Sequence, residues 1–228
     1  NSDNNDSEEA LFTVQGVIAD LDLPPLKTRP RGNQARHMRQ SVVLSGLGLP
    51  AFEDAITTLY GIHTLLGRNV PPGALEKWQP FDYIGTRAIE IQNRYFTVKR
   101  FGNGLPKLPF DLLCDSNGYL EDCSTPEMYH TEDNEVDYYS SADTGYRATK
   151  ISPSAFRAGD LVEACLSVIT SPISADKYKM LVVLRSLALI DSTHTMVSEP
   201  SDRTQRGTNP IRKNGSAIQT VTYLYVQI

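Results

Sequence analysis

The chain has 228 residues, 40% of them apolar and 21% charged, with a formal net charge of −5 and a pI near 5.4. Such a composition describes a globular protein with one substantial core, and the acidic balance excludes a global attraction to nucleic acid or to an anionic membrane, leaving only local patches for such binding. The longest apolar stretches, 180–184 and 187–190, fall far short of the ~20 residues of a spanning helix, so no membrane partner is expected.

The first ten residues, NSDNNDSEEA, are polar, acidic and free of large apolar groups, which predicts disorder and is the reverse of a signal peptide. An intracellular protein of the cytoplasm or nucleus is the expectation. Residues 11–18 (LFTVQGVI) predict a first strand. Residues 24–40 carry Lys27, Arg29, Arg31, Arg36 and Arg39 with no acid among them, and prolines at 24, 25 and 30 predict an extended basic arm. One helix is predicted over 51–66, where Phe52, Ile56, Leu59, Ile62, His63 and Leu66 share a stripe. Glu53 and Asp54 suit its first turn, Gly67 is a natural stop, and the helix should cap a sheet.

From Phe81 the pattern turns to strands, at 83–91 and 95–101, with Asn93 as a turn between them. Residues 111–137 hold nine acids and no Lys or Arg, which predicts a long, solvated, mobile loop. A hairpin is expected from 136–140 and 146–151. In FRAGDLVEACLSV, residues 156–168, Val162, Ala164, Leu166 and Val168 alternate with Glu163, Cys165 and Ser167, as in a strand with one face on the core. Asp160 after Gly159 reads as a turn acid bonding nearby amides. After a loop at 171–177, residues 178–190 are apolar at both parities and should be covered on both faces, making a long central hairpin. Residues 217–228 alternate as a last strand, after a polar loop with Arg203, Arg206, Arg212 and Lys213. Cys165 reads as a small buried residue. Cys114 and Cys123 could bridge, although a reducing compartment is the preferred reading.

Two constellations carry candidate chemistry. His130-Thr131-Glu132 has the spacing that places two ligands on one face of a strand, with His194, Arg203 and Arg206 following. That order resembles the iron and 2-oxoglutarate dioxygenases, where such a set holds iron and the co-substrate carboxylate. The bland alternative is a surface histidine in an acidic loop. The second constellation is nucleic-acid binding. Arg29, Arg31, Arg36 and Arg39 form one basic patch, and Arg203, Arg206, Arg212 and Lys213 form another. Tyr138, Tyr139, Tyr146, Tyr223 and Tyr225 offer stacking surfaces on a small barrel. Against this stands a basic arm that merely compensates the acidic loop of the same chain or of a neighbour. No P-loop, dinucleotide fingerprint, nucleophile elbow or H-E-x-x-H is present.

Phe156, Arg157, Gly159, Asp160, Val162 and Glu163, followed by Pro172, Lys179, Met180 and then Leu184, Arg185, Ser186 and Asp191, form a segment similar to one in uncharacterised proteins of mushroom-forming basidiomycete fungi. The resemblance covers residues 81–195, extends to TEDNEVDYY at 131–139, and implies a lineage without an activity. Within it, Glu163 and Arg185 are expected to pair across the hairpin.

The expected fold is mainly β, an antiparallel β-barrel or sandwich (OB-like or jelly-roll-like) with one capping α-helix, forming a single domain over 11–228. The expected function is a non-catalytic interaction or assembly module that binds protein partners or itself, basic arm against acidic loop, without a cofactor. The alternatives are an OB-like domain binding single-stranded nucleic acid and, third, the dioxygenase.

Overall fold

The structure, a computed structural model, describes residues 9–99, 104–140 and 148–192. In the first strand, β1 (Phe12–Asp22), Val14, Gly16 and Ile18 are buried and alternate with partly exposed neighbours, as one-sided burial requires. β2 (Arg39–Ser45) begins at the last two residues assigned to the arm. Gln40, Val42 and Leu44 are buried in turn, a strand pattern that the neighbouring basic run obscures. α1 (Pro50–Leu66) follows, with proline in its first turn and Phe52, Ala55, Ile56 and Leu59 buried at three- and four-residue spacing. The remaining strands are β3 (Phe81–Tyr83), β4 (Thr86–Arg94), β5 (Thr97–Val98), β6 (Met128–Tyr129), β7 (Asp137–Ser140), β8 (Thr149–Lys150), β9 (Leu161–Ser174) and β10 (Lys177–Asp191).

Five of these strands close a barrel. β1 pairs antiparallel with β2 and with β9, β2 pairs with β4, and β9 pairs with β10. The ring closes where β10 meets β4 in parallel, Val183 opposite Gln92. Counting only barrel strands, the order around the ring is first, second, third, fifth, fourth, with the third and fifth parallel. That is the connectivity of an OB-like barrel. Of the architectures expected, the chain forms the closed OB-like one, and it departs from a purely antiparallel sheet at β4–β10 and again where β7 joins β10 in parallel. β8 then pairs with β7, as expected of the 136–151 hairpin.

The helix joins the barrel interior through Phe52, which is 1% exposed. A Cβ on Gly46 would overlap the Cβ and Cγ of Phe52, and one on Gly16 would lie 3.1 Å from its ring. Two glycines thus admit one large ring, whose burial contributes about 2–3 kcal/mol. Glu53 pairs with Arg87 on β4 and ties the first helical turn to the barrel wall.

Four sequence expectations change. The 111–137 region is folded, with short 3-10 turns at Glu121–Cys123 and Glu132–Asn134 and the strand β6. Leu120 is fully buried beside Tyr95, Phe96 and Ala35 in a second apolar cluster, and Asp115 accepts the amides of Leu120 (3.0 Å) and Glu121 (2.9 Å). A count of acids cannot distinguish capping and ion-pairing carboxylates from solvated ones. Asn93 is a buried residue within β4, not a turn. The loop expected at 171–177 shrinks to two residues, because β9 and β10 extend as a long projecting hairpin. Glu163 accepts a hydrogen bond from Gln15 on β1 (2.8 Å) and faces Ala188 on β10, so it does not pair with Arg185, which sits in a bulge between Leu184 and Ser186. Asp160, by contrast, is a buried turn acid that accepts the Arg157 amide at 2.7 Å. All three cysteines are free thiols. The strand expected at 217–228 lies outside the described residues, as do the first eight.

Two stability measurements follow. Gly46→Ala should cost about 1–3 kcal/mol by overpacking against Phe52. Gly61→Ala, in open space on the helix, should add about 0.5–1 kcal/mol. Equal effects in thermal unfolding would refute the placement of Phe52. The second measurement concerns His130, which is 5% exposed; burial lowers its pKa from the usual 6.5, against the opposing hydrogen bond to the Tyr95 carbonyl. A folded-state pKa below the unfolded one means that the unfolded chain binds the extra proton first, so stability should fall as pH drops through about 6.5. His130→Gln should flatten that part of the pH–stability curve; an unchanged slope would show that His130 is not held neutral.

Candidate nucleic-acid interface

On the outer face of the barrel, β2 and β4 set their side chains in register: Arg39 opposite Arg94, Ser41 opposite Gln92, Val43 opposite Glu90. Beyond the parallel seam, β10 presents Lys179, Leu181 and Val183, opposite Ser171, Ile169 and Ser167 of β9. A groove of about 630 Å³ runs over this seam. One wall is the 3-10 turn Gly32–His37, which contributes Arg36. The other is the projecting β9–β10 hairpin, where Ile173 is 48% exposed.

Five cations line the groove, Arg36, Arg39, Arg94, Lys179 and Arg185, against two acids, Glu9 and Asp133. Among the described residues, Arg36, Arg39, Arg94 and Lys179 form no ion pair. Arg39 donates to the Gln92 side chain and, at 3.4 Å, to the His37 carbonyl, so neutral partners hold it in place. Burial lowers the Arg94 pKa; Asp133 opposes the shift and Arg185 reinforces it. The guanidinium remains charged at neutral pH. Arg185 is pinned by the Glu9 carboxylate, by Ser167 Oγ at 3.2 Å and by the Asp133 carbonyl at 2.8 Å. A second trough of about 250 Å³ adjoins the groove, sharing Gln92, Lys179 and Leu181, and is flanked by Trp78 and Phe81. Trp78 meets Tyr60 edge-on, with ring centroids 5.2 Å apart.

The candidate residues from sequence divide accordingly. Arg36 and Arg39 lie in the groove. Arg29 does not; it pairs with Asp122 at 3.0 Å, and Asn117 bonds the Leu26 carbonyl, so the basic arm meets the acidic region of its own chain. Arg31 is exposed away from the groove lining. Tyr138 is 1% exposed and donates to Gln40 Oε1 at 2.6 Å, which removes it as a stacking surface. Tyr139 is half-buried on β7, also outside the groove; burial raises its pKa, as does Asp137. Arg203, Arg206, Arg212 and Lys213 lie outside the described residues, with Tyr146, Tyr223 and Tyr225.

The dioxygenase constellation does not assemble at its first two members. Thr131 is extended but caps a 3-10 turn that begins at Glu132, and the two side chains lie in different surroundings, one buried and one exposed. His130 is buried, stacked on Phe110 at 4.1 Å between centroids, with Nδ1 3.0 Å from the Tyr95 carbonyl, while Glu132 is exposed. His194 lies outside the described residues, and among those described no three His, Cys, Asp or Glu side chains gather as a metal set.

Arg94, Lys179 and Arg185 are groove residues that reading the sequence missed. Part of their signal is present: Arg94 and Lys179 lie on the outward parity of their strands, whereas Arg185 sits in a bulge. Their convergence depends on the β4–β10 pairing, which no local pattern encodes.

No protein-family model and no curated protein sequence matches the chain. Among solved structures it is similar to gp2.5, a single-stranded DNA binding protein encoded by bacteriophage T7, at a TM-score of 0.45 and 12% identity over 88% of this chain and 100% of that one. It is also similar to the single-stranded DNA-binding protein from bacteriophage Enc34 in a C-terminally truncated form, at a TM-score of 0.43 and 12% identity over 80% of this chain and 86% of that one. The OB-like assignment rests on the strand order and its parallel closure, not on these likenesses.

Proposed function

We propose that the chain is a non-catalytic binding module whose partner is single-stranded nucleic acid, held along the groove over the β4–β10 seam. The observation that carries the reading is the row of cations Arg36, Arg39, Arg94 and Lys179, which form no salt bridge among the described residues, in a protein of net charge −5. Arg29, Lys99, Lys107 and Lys150 instead pair with acids of the 111–137 region. Cations left unmatched on one concave strip suit a chain of phosphates, with each contact releasing condensed counterions. The walls on both sides favour a flexible single strand over a rigid duplex. Gln92, Ser171 and Thr170 between the cations supply neutral hydrogen-bonding groups for sugars and base edges. Arg185, already held by Glu9, is a weaker contributor than its neighbours.

Fluorescence anisotropy of a labelled single-stranded oligonucleotide, titrated at several salt concentrations, tests the reading. Four phosphate contacts predict a slope of log affinity against log salt of about −3. Arg39→Glu and Lys179→Glu, both at surface positions, should each weaken binding by about tenfold or more and flatten the slope by about one contact or more. Absence of binding at low salt, or wild-type affinity in both variants, would overturn it.

A further inference from the structure

We infer that the trough beside the groove is a base-stacking subsite, in which Phe81 and the partly exposed face of Trp78 receive an unstacked base while the neighbouring cations hold its phosphates. The inference rests on the proposed groove and adds to it a position, a chemistry and a direction across the bound strand.

The two depressions differ in charge. The groove has five cations to two acids, whereas the trough carries Glu76 and Glu90 beside Lys77 and Lys179. Phosphates are favoured in the first over the second, where the charges balance. Gln92, Lys179 and Leu181 line both, so a strand bound along the groove lies with one flank open to the trough. The flank turned away from the groove cations is the base side of the strand.

The trough has the surface that a base needs. Phe81 is 52% exposed on β3, a solvent-facing aromatic with no ring partner among the described residues. Trp78 is half-buried: its edge contact with Tyr60 and its packing on the main core fix the indole, so no conformational freedom is lost when a base covers it. Aromatic faces stack on any base, so such a subsite tolerates sequence. The Glu90 carboxylate, which only accepts hydrogen bonds, and the Gln92 amide stand at the rim, where they meet base edges. Carboxylates accept from the exocyclic amino groups of cytosine and adenine and from the N3–H of an unpaired thymine, so the rim does not exclude any of these bases.

Trp78 is the single tryptophan of the chain, so its emission reports on this subsite alone. The experiment titrates the full chain with three probes, oligo(dC), an abasic oligodeoxynucleotide of equal length, and oligo(dT), reading Trp78 emission and, with labelled probes, anisotropy. Oligo(dC) should bind and quench Trp78; the abasic strand should bind through its phosphates, several-fold more weakly, and leave emission unchanged. Oligo(dT) should bind and quench as oligo(dC) does, because stacking tolerates sequence. Phe81→Ala, an exposed substitution that leaves the reporter in place, should weaken oligo(dC) by about three- to tenfold and leave the abasic strand unaffected. If oligo(dC) binds without changing Trp78 emission and Phe81→Ala binds it equally, the subsite is refuted and the groove stands. If no probe shifts anisotropy at low salt, groove and subsite are refuted together.

Discussion

The rest of the molecule depends on how β4 meets β10. The ladder there is a single residue pair, Val183 with Gln92, far less than the antiparallel ladders that make up the other barrel contacts. Side chains complete the closure. Asn93 Nδ2 donates to the Leu184 carbonyl of β10 at 3.1 Å and to the Asp133 carbonyl at 3.0 Å. Arg185 Nη1 donates to the same Asp133 carbonyl at 2.8 Å, and Gln40 Nε2 to the Asn134 carbonyl at 3.2 Å. Each such bond contributes about 0.5–1.5 kcal/mol, and leaving one of the buried amides, Gln40 or Asn93, unpaired would cost about 1–3 kcal/mol. The Glu132–Asn134 turn therefore acts as a clasp across the seam, and the seam is the floor of the proposed binding groove.

That arrangement explains how an acidic protein can present a basic surface. The acids of 111–137 are concentrated on the side of the second apolar cluster, where Asp122, Glu121 and the Asp111–Asp137 pair meet Arg29, Lys107 and Lys150. The hydrogen bond from Lys150, with help from the Leu113 amide, lowers the Asp111 pKa, and the same contact raises that of Lys150. Exposed pairs of this kind contribute little to stability. Their larger consequence is distribution: they engage Arg29, Lys107 and Lys150 and leave Arg36, Arg39, Arg94 and Lys179 without a salt bridge among the described residues. At physiological salt, fields beyond about 8 Å are screened, so a bound strand responds to the groove and not to the net charge.

Much of the fold was legible in local pattern. Alternation in β1 and β9, the double-sided apolar run of β10 and the stripe of α1 are each written in consecutive residues, and the helix differs from its expected bounds only by the proline at its start. Elements whose identity depends on remote partners were not legible. Gln40 and Asn93 look like surface or turn residues because the carbonyls that satisfy them belong to residues 134, 133 and 184. Tyr138 looks like a stacking surface until its hydroxyl is seen to reach Gln40 inside the barrel. The candidate site was half legible for the same reason: Arg36 and Arg39 stand in a visible basic run, whereas Arg94, Lys179 and Arg185 come together only through the parallel closure of distant strands.

Hydrogen–deuterium exchange of the full chain, with and without a saturating single-stranded oligonucleotide, tests the central claim most directly because it locates the bound strand. The account predicts slowed exchange in residues 36–41, 90–94 and 179–185, the segments that meet over the seam, with little change in 111–130. Protection confined to 111–130, or absent from the three seam segments while the oligonucleotide is bound, would contradict it.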